Sequence, residues 1–378
     1  MTGINRNLRR ELLKAMGAGA MAASLGACAT TPSPASRYER PYSRNPWIAP
    51  RISSENIIRE VVGHRPYRPG GFVVRSEKLD DKVVVHNYGH GGAGITLCWG
   101  SSALAVRETL GMEQRDVAVI GSGVMGLTSA RLLQDAGWNV TIYTRDMARH
   151  TTSNVAGGEW GPASAHDPDV SSAAFKSQLD FALRISHHAH TNLGGADYGI
   201  FWKEVYYPDN NPEFRDGGNY GHLYPYEGTM GPGEHPFNTQ YAHHAVTMMI
   251  EPGTFLRRLT EDVHQARGKI VIRNFASKEE LLQLPEPVIF NCTGMGARQL
   301  FDDEELTPAK GQLVFMPPDP DVDYLTIGGG QGLCYMFSRT DVVLLGGTFK
   351  PGDWSTNPEP AETDRIIREH QKIFAGFA

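Results

Sequence analysis

The chain has 378 residues, 40% of them hydrophobic, and a formal net charge of −6. That length suits two domains or one large α/β unit with insertions. The mildly acidic balance gives no footprint for a nucleic-acid partner, and no apolar run is long enough to cross a membrane as a mature helix.

The first expected element is an export signal. Residues 5–28 read NRNLRRELLKAMGAGAMAASLGAC. A charged start with paired Arg9 and Arg10 leads into a short run of Ala, Gly and Met, then small residues before a cut site. The arginine pair resembles a twin-arginine signal, and Leu25-Gly26-Ala27-Cys28 resembles a bacterial lipoprotein cleavage box that leaves Cys28 lipidated. The plainer alternative is an amphipathic N-terminal helix. The expected location is therefore the bacterial cell envelope, with membrane contact only through a lipid on Cys28. Residues 29–46, rich in Pro, Ser and Arg, are expected to form a flexible tether. Cys98, Cys292 and Cys334 sit in apolar surroundings. Their odd number is no disulfide framework, and buried free thiols are expected.

DKVVVHNY (81–88) is a β-rich run that feeds a glycine-rich loop, HNYGHGGAGITLCWG (86–100). Residues 96–111 have helical periodicity, with Gly111 as C-cap. RDVAVIG reads as a buried strand, MGLTSARLLQDAG as a helix and WNVTIYTRD as a second strand, which is a βαβ unit. Its turn is Gly121-Ser122-Gly123-Val124-Met125-Gly126. The first glycine permits the tight turn, and the second lets backbone approach a pyrophosphate. The third, with Ala130 a turn later, lets helix and strand pack closely. The helix N-terminus binds phosphate through its free N–H groups and dipole. The turn does not choose between NAD and FAD. Asp146, about twenty residues past the turn, suits a ribose hydroxyl. Arg145 suits an adenosine phosphate if the register differs by one, so both stay open.

Residues 163–240 are polar and rich in His, Asn, Gly and Pro, as expected of a separate, partly antiparallel substrate domain. GTFLRRLTEDVHQARG then reads as a helix, KIVIRNF as a strand and EPVIFNCTGMGAR as a strand ending in a glycine turn. KGQLVFMP, GLCYMFSR and DVVLLGGTF follow as strands, and ETDRIIREHQKIFAGF as an amphipathic helix. In QYAHHAV, neighbouring His243 and His244 point to opposite faces of a strand. One solvent-facing and one packed histidine are expected.

TTSNVAGGEWGP (151–162), the nucleotide turn, VIFNCTG, GHRPYRP and HNYGHGGAGITLCWG together resemble the D-amino-acid oxidase family of flavoproteins. The resemblance covers nearly all of residues 50–378. The order is altered: in that family the nucleotide turn comes first and the last two motifs come last. The chain thus looks like a circular permutant, with the new break between the helix ending at Ala378 and SSENIIREVVGHRP.

The resemblance implies an α/β architecture in permuted order. A Rossmann-like FAD-binding domain (47–162, 250–300 and 345–378) is joined to a mostly antiparallel β-sheet substrate domain (163–249 and 301–344). Arg65 matches the carboxylate-binding arginine, whose fork makes two parallel hydrogen bonds. Arg68 reads as structural. Tyr241 matches an active-site tyrosine, although Thr239 and Gln240 stand where a lid tyrosine is usual. Tyr335 matches a pocket position, and Gly92 the carbonyl that accepts from the substrate amine. Gly91, Gly92, Gly94 and Thr96 bring backbone and a helix start to the flavin. Gly121, Gly123, Val124, Met125, Gly126, Arg145, Asp146, Thr151, Thr152, Gly157 and Gly158 complete the FAD contacts, with Gly294 by the adenosine half and Val271 or Ile272 flanking adenine. The implied reaction is hydride transfer from the α-carbon of a D-amino acid to flavin N5. It gives an oxo acid, ammonia and, from oxygen, hydrogen peroxide, without a side-chain base or a metal. Rival readings are an oxidase of glycine, D-aspartate or a related small amine acid, a flavin-bound envelope lipoprotein with little activity, and a nicotinamide dehydrogenase, against which the HNYGHGG loop argues.

Overall fold

A computed structural model describes residues 38–213 and 220–377. The export signal, Cys28 and the first part of the expected tether lie outside the described residues.

Two sheets carry the molecule within one compact unit. The first runs β2 (Val73–Leu79), β3 (Lys82–Tyr88), β10 (Val288–Asn291), β4 (Asp116–Ile120), β5 (Asn139–Thr144), β9 (Lys269–Ile272). All its pairings are parallel except that of β2 with β3. A parallel sheet is covered on both faces, which is why β4 reads as an unbroken apolar run. Val117 and Val119 enter one core cluster, Ala118 and Ile120 another. Helix α1 (Gly94–Arg107) follows β3, and α2 (Val124–Asp135) joins β4 to β5. The short α3 (Thr152–Val155) and the long α4 (Ala173–Asn192) come next, α4 packing on α1. The crossing of α1 and α4 is tight, because a Cβ on Gly100 would lie 2.0 Å from Ala182 O. Helix α5 (Pro252–Gln265) packs on α2. Helices α6 (Lys278–Leu282) and α7 (Gly296–Leu300) put Leu281 and Leu300 into the opposite core.

The second sheet has nine strands. Its order is β1 (Arg59–Tyr67), β11 (Thr307–Met316), β14 (Val343–Gly346), β13 (Tyr335–Ser338), β12 (Leu325–Ile327), β6 (Ile200–Asp209), β8 (Tyr241–Ile250), β7 (Glu227–Met230), with β15 (Lys350–Pro351) also on β11. It is antiparallel apart from β12 against β6. Two segments expected with the nucleotide-binding part pair into this sheet instead: β1, along its whole length, on β11, and β15 on the same strand. Helix α8 (Pro360–Ile373) packs on β11 and β14. Its Gln371 donates to Ile52 O at 3.0 Å, which brings the last helix beside the segment leading into β1.

Two buried polar groups explain features that composition leaves blank. Asn87 on β3 is fully buried and donates to Ser102 of α1 and Ser129 of α2, both at 3.1 Å. Next to it His86 is hydrogen-bonded to Asn291 of β10 at 3.0 Å, and Asn291 in turn accepts from the Thr293 hydroxyl at 2.7 Å. The HN pair thus fastens the glycine loop to both sides of the nucleotide turn.

The second group corrects the tether. From Arg40 onward the chain is docked, not loose. Arg40 is 7% exposed and pairs with Glu204 of β6 (Nε to Oε2, 2.8 Å) and with Asp323. Its guanidinium lies over Trp47 and Tyr324. The Tyr42 N–H donates to Glu204 at 2.8 Å. The partners lie more than 150 residues away in sequence, so local composition cannot disclose them.

Candidate active site

The turn after β4 is built as its glycines require. Gly121 has φ +106°, and a Cβ there would meet Cys292 O at 2.6 Å. A Cβ on Gly126 would sit 1.9 Å from Gly121 O, so this glycine seats the helix on the turn and does not reach a ligand. The freed backbone at the start of α2 faces a cavity. One of its first N–H groups, that of Val124, is capped by Ser153 Oγ at 3.0 Å, a contact not foreseen.

A single cavity of about 590 Å³ runs from this turn to the second sheet. Gly121, Gly123, Val124, Met125, Arg145, Asp146, Thr151, Thr152, Gly157, Gly158, Gly91, Gly92, Gly94 and Gly294 all line it, as do Arg65 and Tyr335. Arg145 and Asp146 flank it as a pair (2.6 Å), the arginine exposed and the aspartate partly so. The Asp146 carbonyl accepts from the Ser122 and Thr144 hydroxyls, which fixes the bend after β5.

At the other end Arg65 projects from β1. Its Nη1 donates to Thr348 O (3.2 Å) and its Nη2 to the Tyr335 hydroxyl (3.3 Å), with Phe349 beneath. Room for it is made across the sheet, where a Cβ on Gly311 would lie 2.2 Å from Nη1. Tyr335 needs Gly346 in the same way, at 2.1 Å. A Cβ on Gly92 would lie 3.4 Å from the Arg65 side chain and 2.7 Å from Ala163 O, so the loop lies beside the arginine. Among the described residues no carboxylate pairs with Arg65. A half-buried guanidinium without an anion is a ready receptor for a carboxylate ligand. Arg68, by contrast, is occupied by Asp303 (2.8 Å) and Glu305 (2.7 Å), as expected of a structural residue.

Three expected contacts fall elsewhere. Tyr241 does not line the cavity. It opens β8 opposite Asp209, whereas the other end of that ten-residue strand, at Ile250, bonds to Gly158. The rise of a strand separates the two ends by about 30 Å. A tyrosine that does reach the Gly157–Gly161 turn is Tyr224, whose hydroxyl donates to Trp160 O at 3.4 Å. Val271 is 39% exposed and pairs with Tyr143; Arg273, Asn274 and Phe275, just past β9, line the cavity in its place. Ile272 is likewise exposed. Thr96 is buried and supports the wall instead of lining it, its hydroxyl donating to Gly161 O at 2.8 Å. His243 and His244 are both buried: His243 is hydrogen-bonded to Thr229 Oγ1 (2.8 Å) and Asn211 O (2.9 Å), and His244 lies among the rings of Tyr42, Tyr206 and Tyr226.

Two titratable groups complete the picture. His90 stacks on Phe72, and burial pushes its pKa down to about 3, so it is neutral and no proton carrier. Glu159 lines the cavity and was not foreseen, although a lone acid in a turn of glycine and apolar residues is a visible signal. Glu159 is partly shielded from solvent, and desolvation raises its pKa to about 7, against a lowering by the Thr247 hydroxyl, which donates to Oε1 at 3.2 Å.

A dinucleotide fits what is present: an unobstructed glycine turn, a helix start and a long cavity leading to a carboxylate receptor. These features define a dinucleotide-binding protein, and comparison makes the class plain. The profile of the FAD dependent oxidoreductase family (DAO) matches residues 116–378, so the chain belongs to that family and FAD is its cofactor. It is 29% identical to a D-amino-acid oxidase of Streptomyces coelicolor over 260 residues, covering 68% of this chain and 77% of that protein. It is 28% identical to a D-aspartate oxidase of Homo sapiens, covering 68% and 74% respectively. Among solved structures, the glycine oxidase of Geobacillus kaustophilus superposes with TM-score 0.52 at 15% identity, over 68% of this chain and 77% of that one, a likeness of fold.

Proposed function

We propose that the chain oxidises an amino acid of the D configuration. The balanced reaction is D-amino acid, oxygen and water to 2-oxo acid, ammonia and hydrogen peroxide. When bound, FAD supplies the two-electron acceptor for the α-hydrogen. Arg65 grips the carboxylate with the Tyr335 hydroxyl beside it, and the Gly92 carbonyl accepts from the neutral amine. Three fixed points on one carbon select a hand. The observation that carries this reading is Arg65, without a carboxylate partner among the described residues, beside Gly92 and bonded to Tyr335, in one cavity with the nucleotide turn. The relatives named D-amino-acid oxidase and D-aspartate oxidase support the same reaction type.

The test is anaerobic. The purified yellow protein is mixed with D- and L-amino acids while the visible flavin absorbance is followed. Bleaching by D-isomers and not by L-isomers is expected. Bleaching by neither removes the oxidase reading and leaves a flavin-binding protein.

The permuted order belongs to the same reading. The family profile begins at residue 116, while Arg65 and the glycine loop precede it. Helix α8 lies against Ile52, so the segments that the usual order would join are neighbours. A relinked chain that opens at Arg115 and continues from residue 377 through a short linker to residue 50 is expected to fold and retain FAD with an unaltered visible spectrum. Failure to fold or to hold FAD, across linkers of several lengths, counts against permutation.

A further inference from the structure

We propose that Glu159 is a specificity residue that selects amino acids with a cationic side chain, an ammonium or a guanidinium. The inference rests on the oxidase reading and names its substrate class.

Glu159 stands in the wall that carries the reacting end of the cavity. Two residues before it, a Cβ on Gly157 would lie 2.8 Å from the Phe337 ring and 4.0 Å from that of Tyr335, which bonds Arg65. Two residues after it, Gly161 is tied to Thr96 at the start of α1. The turn is locked from behind, since Trp160 N–H donates to Met248 O (2.9 Å) and Ile250 N–H to Gly158 O (2.8 Å).

The carboxyl group has one hydrogen-bond partner, the Thr247 hydroxyl, and no ion pair among the described residues. Keeping a carboxylate in a partly desolvated cavity wall without a cation is costly, and such a group in a cleft marks a place that a ligand or a reaction uses. A structural use is weak here. The Thr247 hydroxyl is also within 3.1 Å of Trp160 O, so it has a partner without Glu159. A base is not needed either, because the amine lone pair drives loss of the α-hydrogen. What the group lacks is a positive charge. A substrate whose carboxylate goes to Arg65 and whose side chain ends in a cation supplies it, and each charge then meets its opposite. An acidic side chain would place two carboxyl groups together with no cation to separate them.

The test compares D-arginine and D-lysine with D-norleucine, a neutral chain of lysine-like length, in the wild-type holoenzyme, Glu159→Gln and Glu159→Leu. Wild type is expected to prefer the cationic substrates in kcat/KM by at least about tenfold. Both variants are expected to lose that preference, so that the ratio of D-arginine to D-norleucine falls about 30-fold or more. As a readout without turnover, 5-aminopentanoate and pentanoate are titrated against the flavin absorbance. The wild type is expected to bind the former more tightly, and Glu159→Gln to bind the two alike. Oxidation of neutral D-amino acids with no cationic preference overturns this inference alone. A preference that survives both substitutions also overturns it. Absence of bleaching by any amino acid overturns the oxidase reading itself.

Discussion

Arg65→Ala is expected to weaken binding of a simple carboxylate such as pentanoate by roughly 2 to 5 kcal/mol, about 30-fold to several thousand-fold. The size follows from what is left behind: a carboxylate drawn into a cavity with its fork-shaped partner removed. The Tyr335 hydroxyl loses its guanidinium neighbour but keeps its place, packed over Gly346 and stacked on Phe337. The wall around Tyr335 therefore stays in place, and the loss follows from removing the guanidinium fork. Arg65→Lys is expected to recover only part of it, since an ammonium cannot make two parallel bonds. Flavin absorbance during ligand titration measures both. An alanine variant with unchanged affinity would take Arg65 out of the site.

Arg40→Ala is expected to destabilise the fold by about 3 to 5 kcal/mol, the range for removing one partner of a buried ion pair. Glu204 is 6% exposed and would be left with the Tyr42 N–H as its support. The control is Arg40→Met with Glu204→Gln, which removes both charges and keeps volume. That double variant should regain most of the loss, because the cost lies in the orphaned carboxylate. Urea unfolding followed by circular dichroism gives both values. A loss under 1 kcal/mol in Arg40→Ala would mean that this segment is not held by its charge.

The parts legible in the sequence were those with local causes. The unit β4–α2–β5 follows from an apolar run, a glycine spacing and a helical period, all within thirty residues. Arg65, Gly92 and the Gly157–Gly158 turn came through motifs, and the cavity collects them. The misreadings share a physical origin in tertiary placement. Tyr241 depends on which end of a long strand meets the cavity, and nothing in QYAHHAV encodes that. Val271 failed because the chain reaches the cavity only after β9 ends. The expected tether failed because Arg40 finds its carboxylates on β6 and beyond β11. Glu159 stands out in the sequence as a lone acid in an apolar glycine turn, but its lack of a cation partner is a tertiary fact that the sequence does not carry.

The buried cysteines carry a last consequence. Cys98, Cys292 and Cys334 are free, each almost wholly shielded from solvent, and burial raises the pKa of all three thiols. Sulfenic acid formation and alkylation both start from the thiolate, which these positions suppress. A protein proposed to release peroxide from its own cavity thus keeps its described cysteines as protonated thiols, the form slowest to react with that product.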